Sequence, residues 1–155
     1  MEIFLTVVLI IAAIIAAYIT VATNTVKIKK IPVSSLKIPK EFDGVKIALL
    51  SDLHDAKVSG YSKKKLLEKT AEIKPDFIFL GGDMHEIRKK DKKFFSLLDD
   101  LKKIAPLYYV DGNHDARLKK YPDYKNYLAE LEKRVENLHG KTSLCIGNAK
   151  IDLYG

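Results

Sequence analysis

Three short stretches carry residues that can do chemistry: Ser51-Asp52-Leu53-His54, Gly81-Gly82-Asp83-Met84-His85 and Asp111-Gly112-Asn113-His114-Asp115. Each follows an apolar run, Leu49-Leu50, Phe79-Leu80 or Tyr109-Val110, and together they hold three of the chain's four histidines. One such stretch alone reads as a turn, because Asp, Asn and Gly are ordinary turn formers. Three in succession argue for a shared site. Carboxylate, imidazole and amide oxygen donors suit divalent metals such as Mn, Fe, Co or Zn. Asp52 and His54 stand two residues apart and can face one ion. Asp83 has two carboxylate oxygens that can bridge a pair of ions ~3.5–4 Å apart, and Asn113 offers a neutral oxygen to the second ion. Such a pair binds phosphate oxygens and lowers the pKa of a bridging water. His114 is a candidate acid for a leaving oxygen. Asp115 is expected to hold the His114 imidazole by a hydrogen bond. Gly81, Gly82 and Gly112 allow close backbone approach or positive φ.

The elements that position these residues are legible in the hydrophobic pattern. Val45 to Leu50 reads as an apolar strand and Ser62 to Lys74 as a helix, with Ser62 as N-cap and Pro75 as the stop. Phe77 to Leu80 is a second strand, Lys92 to Ile104 a second helix closed by Pro106, and Leu107 to Val110 a third strand. Continuous apolar strands alternating with helices predict an α/β fold: βαβ units with a parallel sheet covered on both faces. In such a sheet the carboxyl ends of the strands line one crevice, so Asp52, His54, Asp83, Asn113, His114 and Asp115 should converge. Tyr124 to Arg134 reads as a further helix, with Tyr121, Tyr124 and Tyr127 as partly buried packing. Thr142 to Ile146 and Ala149 to Tyr154 predict a hairpin around Gly147-Asn148.

The N-terminus is of a different kind. Ile3 to Ala22 carries no charge and is almost wholly apolar. About 20 residues at ~1.5 Å each span a ~30 Å hydrocarbon core, which predicts a transmembrane helix over 3–22. A cleaved signal peptide competes, with Thr20-Val21-Ala22 as the cleavage site, but the run is long for one and Lys or Arg are missing before it. Lys27, Lys29 and Lys30 follow the helix and, by the positive-inside rule, place the rest in the cytoplasm; an extracytoplasmic domain is the alternative. Residues 23–44, punctuated by Pro32 and Pro39, are expected to hold one or two edge strands and a connection. The remaining domain is 45–155.

The net charge is +7. Lysine and arginine cluster over 63–65, 88–93 and 117–120, which fits solvated helix surfaces and an attraction to acidic lipid. Zinc-finger spacing, RNP-like strands and a helix-turn-helix signature are absent, so nucleic acid is not the expected partner. Glycine-rich nucleotide motifs are absent too. The single Cys145 cannot form an internal disulfide and is expected to be a buried small apolar residue.

The stretches SDLHDA, GGDMHE and GNHDA resemble the D-x-H, G-D and G-N-H-[DE] blocks of the calcineurin-like metallophosphoesterases. The apolar N-terminus and following segment resemble the membrane-associated bacterial subgroup. The resemblance covers about residues 26 to 155. It implies an α/β sandwich of two sheets that hydrolyses phosphomono- or phosphodiesters with two divalent metal ions. Carried over block by block, Asp52 and His54 bind the first metal, Asp83 bridges, Asn113 binds the second, and His114 with its partner Asp115 is catalytic. His85 is at best a substrate contact or an outer support. The family completes its site with a later histidine and a G-H-x-H block, which nothing after Asp115 supplies; His139 is expected in a surface loop. The chain therefore resembles the N-terminal half of such an enzyme. Turnover by it alone is doubtful. A complementing C-terminal half or an inactive, membrane-tethered binding role are the alternatives.

Overall fold

The computed structural model describes residues 1–54, 60–85 and 91–155, with the side chains of 20–24 and 137 outside the description. Part of the basic cluster over 88–93 lies outside the described residues. Helix α1 (Glu2–Asn24) contains the apolar run. Its 18-residue stretch Glu2–Ile19 is long and apolar enough to cross a membrane, and none of it is buried against the rest of the chain.

Beyond α1 the order is β1 (Ile47–Leu50), α2 (Gly60–Ile73), β2 (Phe77–Leu80), α3 (Asp91–Lys102), β3 (Leu107–Tyr109), a 3-10 turn (Asp115–Lys120), α4 (Tyr124–Glu132), β4 (Glu136–Asn137), and the hairpin strands β5 (Lys141–Ile146) and β6 (Ala149–Tyr154). Four strands form one parallel sheet in the order β1-β2-β3-β4. β5 and β6 pair antiparallel, with Ile146 opposite Ala149 across the Gly147-Asn148 turn. Helix α2 begins two residues before the expected Ser62 cap. It ends through Lys74 at φ 50, whose N–H returns to the Ala71 carbonyl at 3.0 Å, ahead of the helix-stopping Pro75. The short β4 escapes the sequence pattern, because two residues are too few to show alternation.

Register explains the core. Ala48, Ile78 and Leu107 align across β1–β3, as do Leu50, Leu80 and Tyr109. These residues point to the helices, where Leu66 of α2, Phe94, Leu97, Leu98 and Leu101 of α3, and Tyr127 and Leu131 of α4 are buried. Each fully buried side chain of this size contributes roughly 1.5–3 kcal/mol. Tyr124 packs beside this core and Tyr121 is exposed.

The opposite face departs from expectation. Ile47 is 46% and Leu49 67% exposed, and Phe77, Phe79 and Tyr108 are half-buried. The cause is topological. Successive strands add on the same side of the sheet, and parallel crossovers are right-handed, so all the helices fall on one face. Among the described residues, therefore, no helix covers the second side of the sheet.

Residues 25–39 hold no strand, contrary to the expected short β region. Val26, Ile28, Ile31 and Val33 instead line an open groove of about 760 Å³ against β1 and α2. Pro32 has no N–H to give a ladder. Cys145 is exposed rather than buried. Its neighbour Leu144 takes the buried side of β5, and alternation sends Cys145 to the other side.

Candidate metal centre

Hydrogen bonds between the polypeptide loops continue the sheet past its strand ends. Gly81 N–H donates to the Leu50 carbonyl at 2.7 Å, and Val110 N–H to Leu80 at 3.1 Å. Asp52 N–H then donates to the Gly82 carbonyl at 3.1 Å, and His54 N–H to the Asp83 carbonyl at 3.0 Å. The three motifs are thus laced together by backbone, which accounts for their convergence from separate parts of the chain.

The lacing bends the chain into a sparsely used conformation. Asp52, His54 and Asp83 have φ of 55°, 43° and 52°. Left-handed backbone costs a non-glycine residue roughly 1–2 kcal/mol, and such strain collects at functional sites. Gly82 and Gly112 permit the crossing of the second and third loops. A Cβ on Gly82 would sit 2.7 Å from Gly112 Cα, and one on Gly112 would overlap Asp83 Oδ1 outright.

Donor atoms of His54, Asp83 and His114 lie within 4.8 Å of one another. The two imidazoles meet edge to face, with centroids 4.7 Å apart. Asp83 Oδ1 accepts the His114 backbone N–H at 2.8 Å. Two imidazoles and a carboxylate fit a borderline divalent metal, so the donor chemistry suits the ion expected from the sequence. His114 belongs to this trio, whereas Asp52 stands outside it and both Asp52 and Asn113 are exposed on the adjoining loops. The Arg117 guanidinium lies 3.3 Å from His114 Nδ1.

Asp115 and His85 are both buried. Asp115 is 3% exposed. Its carboxylate accepts backbone N–H groups of Asp83 at 2.5 Å, Gly112 at 2.9 Å and His85 at 3.2 Å. It thus engages the loops rather than serving as the hydrogen-bond partner expected for the His114 ring. His85 is fully buried. Its ring stacks on Phe94 at 4.7 Å and Tyr127 at 5.8 Å, and its Nε2 lies 2.6 Å from Asp91 Oδ1. A ring held among α3 and α4 side chains supports the loop from behind and is removed from solvent, and hence from a substrate.

Asp111, which carries no expected role, is met by Lys119 of the basic 117–120 cluster and by His139, expected in a surface loop. Lys119 Nζ and His139 Nε2 each lie 3.4 Å from Asp111 Oδ2. His139 follows β4, so it too stands at a strand end; the signal was hidden by the brevity of that strand. Burial and the Asp115 carboxylate push the Tyr109 phenol well above its ordinary value, and burial and Asp111 raise that of Tyr124. Both phenols stay neutral beneath the acidic loops.

Parallel strand ends carrying this donor set define a metal-dependent class of site, and the sequence comparison gives it a family. Residues 45–154 match the calcineurin-like phosphoesterase profile, and the chain belongs to that family. Similar curated proteins include a transmembrane protein with metallophosphoesterase domain from Danio rerio, 29% identical over 92% of this chain and 32% of its own length. An uncharacterized metallophosphoesterase from Helicobacter pylori (strain ATCC 700392 / 26695) is 34% identical over 57% of this chain and 24% of its own length. The chain thus spans about a third or less of the length of these relatives.

Proposed function

We propose that the chain carries the first half of the active site of a membrane-tethered, metal-dependent phosphoesterase acting on phosphomono- or phosphodiesters. The observation that carries this reading is the approach of His54, Asp83 and His114 to within 4.8 Å at the strand ends of a family-matching domain. Asp52 and His54 would hold one divalent ion, Mn, Fe, Zn or Co, and Asp83 and Asn113 would contribute ligands to a second. When bound, the ions supply an activated water and charge stabilisation for in-line displacement at phosphorus. His114 gives a proton to the leaving oxygen.

The uncovered sheet face favours a complementing half. The family's two-sheet sandwich needs a second layer there, and Ile47, Leu49 and Phe79 offer it an apolar seat. Lys27, Lys29 and Lys30 orient the domain to the cytoplasm. The test is hydrolysis of a nitrophenyl phosphodiester with Mn²⁺, by this chain alone and mixed with a C-terminal half from a relative. Activity that requires the mixture and disappears with His114→Gln supports the reading. Mixed halves that bind Mn²⁺ without any turnover would leave the inactive binding role standing instead.

A further inference from the structure

We infer that Asp115 is a positioning residue for the metal centre, acting through the backbone of the Asp83 loop rather than through the His114 ring. A buried carboxylate is costly unless its oxygens are fully hydrogen-bonded. Asp115 meets that condition with three backbone donors, at 2.5, 2.9 and 3.2 Å, drawn from two different loops. Three hydrogen bonds converging on one carboxylate make a firm link between the Gly112 turn and the segment from Asp83 to His85.

The consequence falls on Asp83. Its N–H is held by Asp115, its carbonyl accepts the His54 N–H at 3.0 Å, and its Oδ1 accepts the His114 N–H at 2.8 Å. Among the described residues these contacts occupy every polar atom of Asp83 except Oδ2, which remains for a cation. They also fix φ at 52°, a conformation that an aspartate in a free loop would leave. The Asp115 carboxylate thus sets where Asp83 aims, while itself touching neither ion nor substrate. The same carboxylate fixes His85 N–H, so the buried His85 ring and Asp115 hold the loop from two directions.

The functional part of this inference rests on the metal-centre reading; the structural part does not. Asp115→Asn keeps the volume but presents an NH₂ group to backbone donors. The test compares wild type, Asp115→Asn, Asp115→Glu and the core control Val135→Ala, each as the full chain in detergent micelles. Mn²⁺ affinity is measured by calorimetry, and amide hydrogen exchange is measured at residues 83, 85 and 112. The expected result is a roughly 10–100-fold loss of Mn²⁺ affinity in both Asp115 variants, as for other outer partners of metal ligands, with faster exchange at those amides. Val135→Ala should lower the melting temperature and leave the affinity unchanged. Wild-type affinity in Asp115→Asn, or unchanged exchange at 83 and 112, would overturn the inference, as would an equal affinity loss in Val135→Ala. Failure of the wild type itself to bind Mn²⁺ would remove the metal-centre reading and the functional role given to Asp115, while exchange would still decide whether the structural clamp exists.

Discussion

Gly112 gives the residue scale its sharpest prediction. A methyl group there would overlap both Asp83 Oδ1 and Asp83 N, and neither can retreat without breaking the links to His114 and Asp115. Gly112→Ala should cost about 1–3 kcal/mol in chemical denaturation, as overpacking does, and should weaken Mn²⁺ binding in the same protein. His85 behaves in the opposite sense. Its ring fills a space between Phe94 and Tyr127, so His85→Ala should lower the melting temperature, and its Mn²⁺ affinity should fall much less than that of His54→Ala. An affinity loss equal to that of His54→Ala would return His85 to the site.

At the scale of elements, the hairpin carries a pH dependence of its own. Hydrogen bonds from Lys141 and then Ser143 hold the Asp152 carboxyl down at about 2, from an ordinary 3.8. A depressed folded-state value means that the stabilisation is complete above the unfolded carboxyl's titration and is lost as pH falls through 2. Amide signals of β5 and β6 should therefore broaden between about pH 4 and 2, and Asp152→Asn should flatten that profile. The helices and long strands were readable because their apolar residues repeat with a clear period; the spacing of Leu97, Leu98 and Leu101 in α3 is enough to mark its buried face. The convergence of His54, Asp83 and His114 was readable because parallel strands end on one side. β4 was too short to leave a pattern. The backbone partners of Asp115 were not readable, since a side chain's partner depends on loop backbone that no periodicity describes. Val26, Ile28, Ile31 and Val33 alternate like a strand, yet Ile28, Ile31 and Val33 are exposed and residues 25–39 form no ladder.

For the whole molecule, the one-sided covering of the sheet separates residues that look alike in sequence. Leu80 is 1% exposed and Leu49 67%. Leu80→Ala should cost about 2–5 kcal/mol, whereas Leu49→Ala should stay within about 0.5 kcal/mol in the isolated chain. Similar costs would mean that the outer face is covered after all. The exposed Cys145 reports the side of the membrane: a maleimide that cannot cross membranes should label it only after cells are permeabilised. Labelling of intact cells would reverse the orientation. Calorimetric titration of the full chain with Mn²⁺ tests directly whether the strand ends bind a divalent metal. Saturable binding is predicted, weakened in Asp83→Asn by more than the roughly 10–100-fold that follows loss of an outer hydrogen-bond partner, and unchanged in the distant Glu130→Gln. Absence of binding, or an Asp83→Asn protein that binds like wild type, would contradict it.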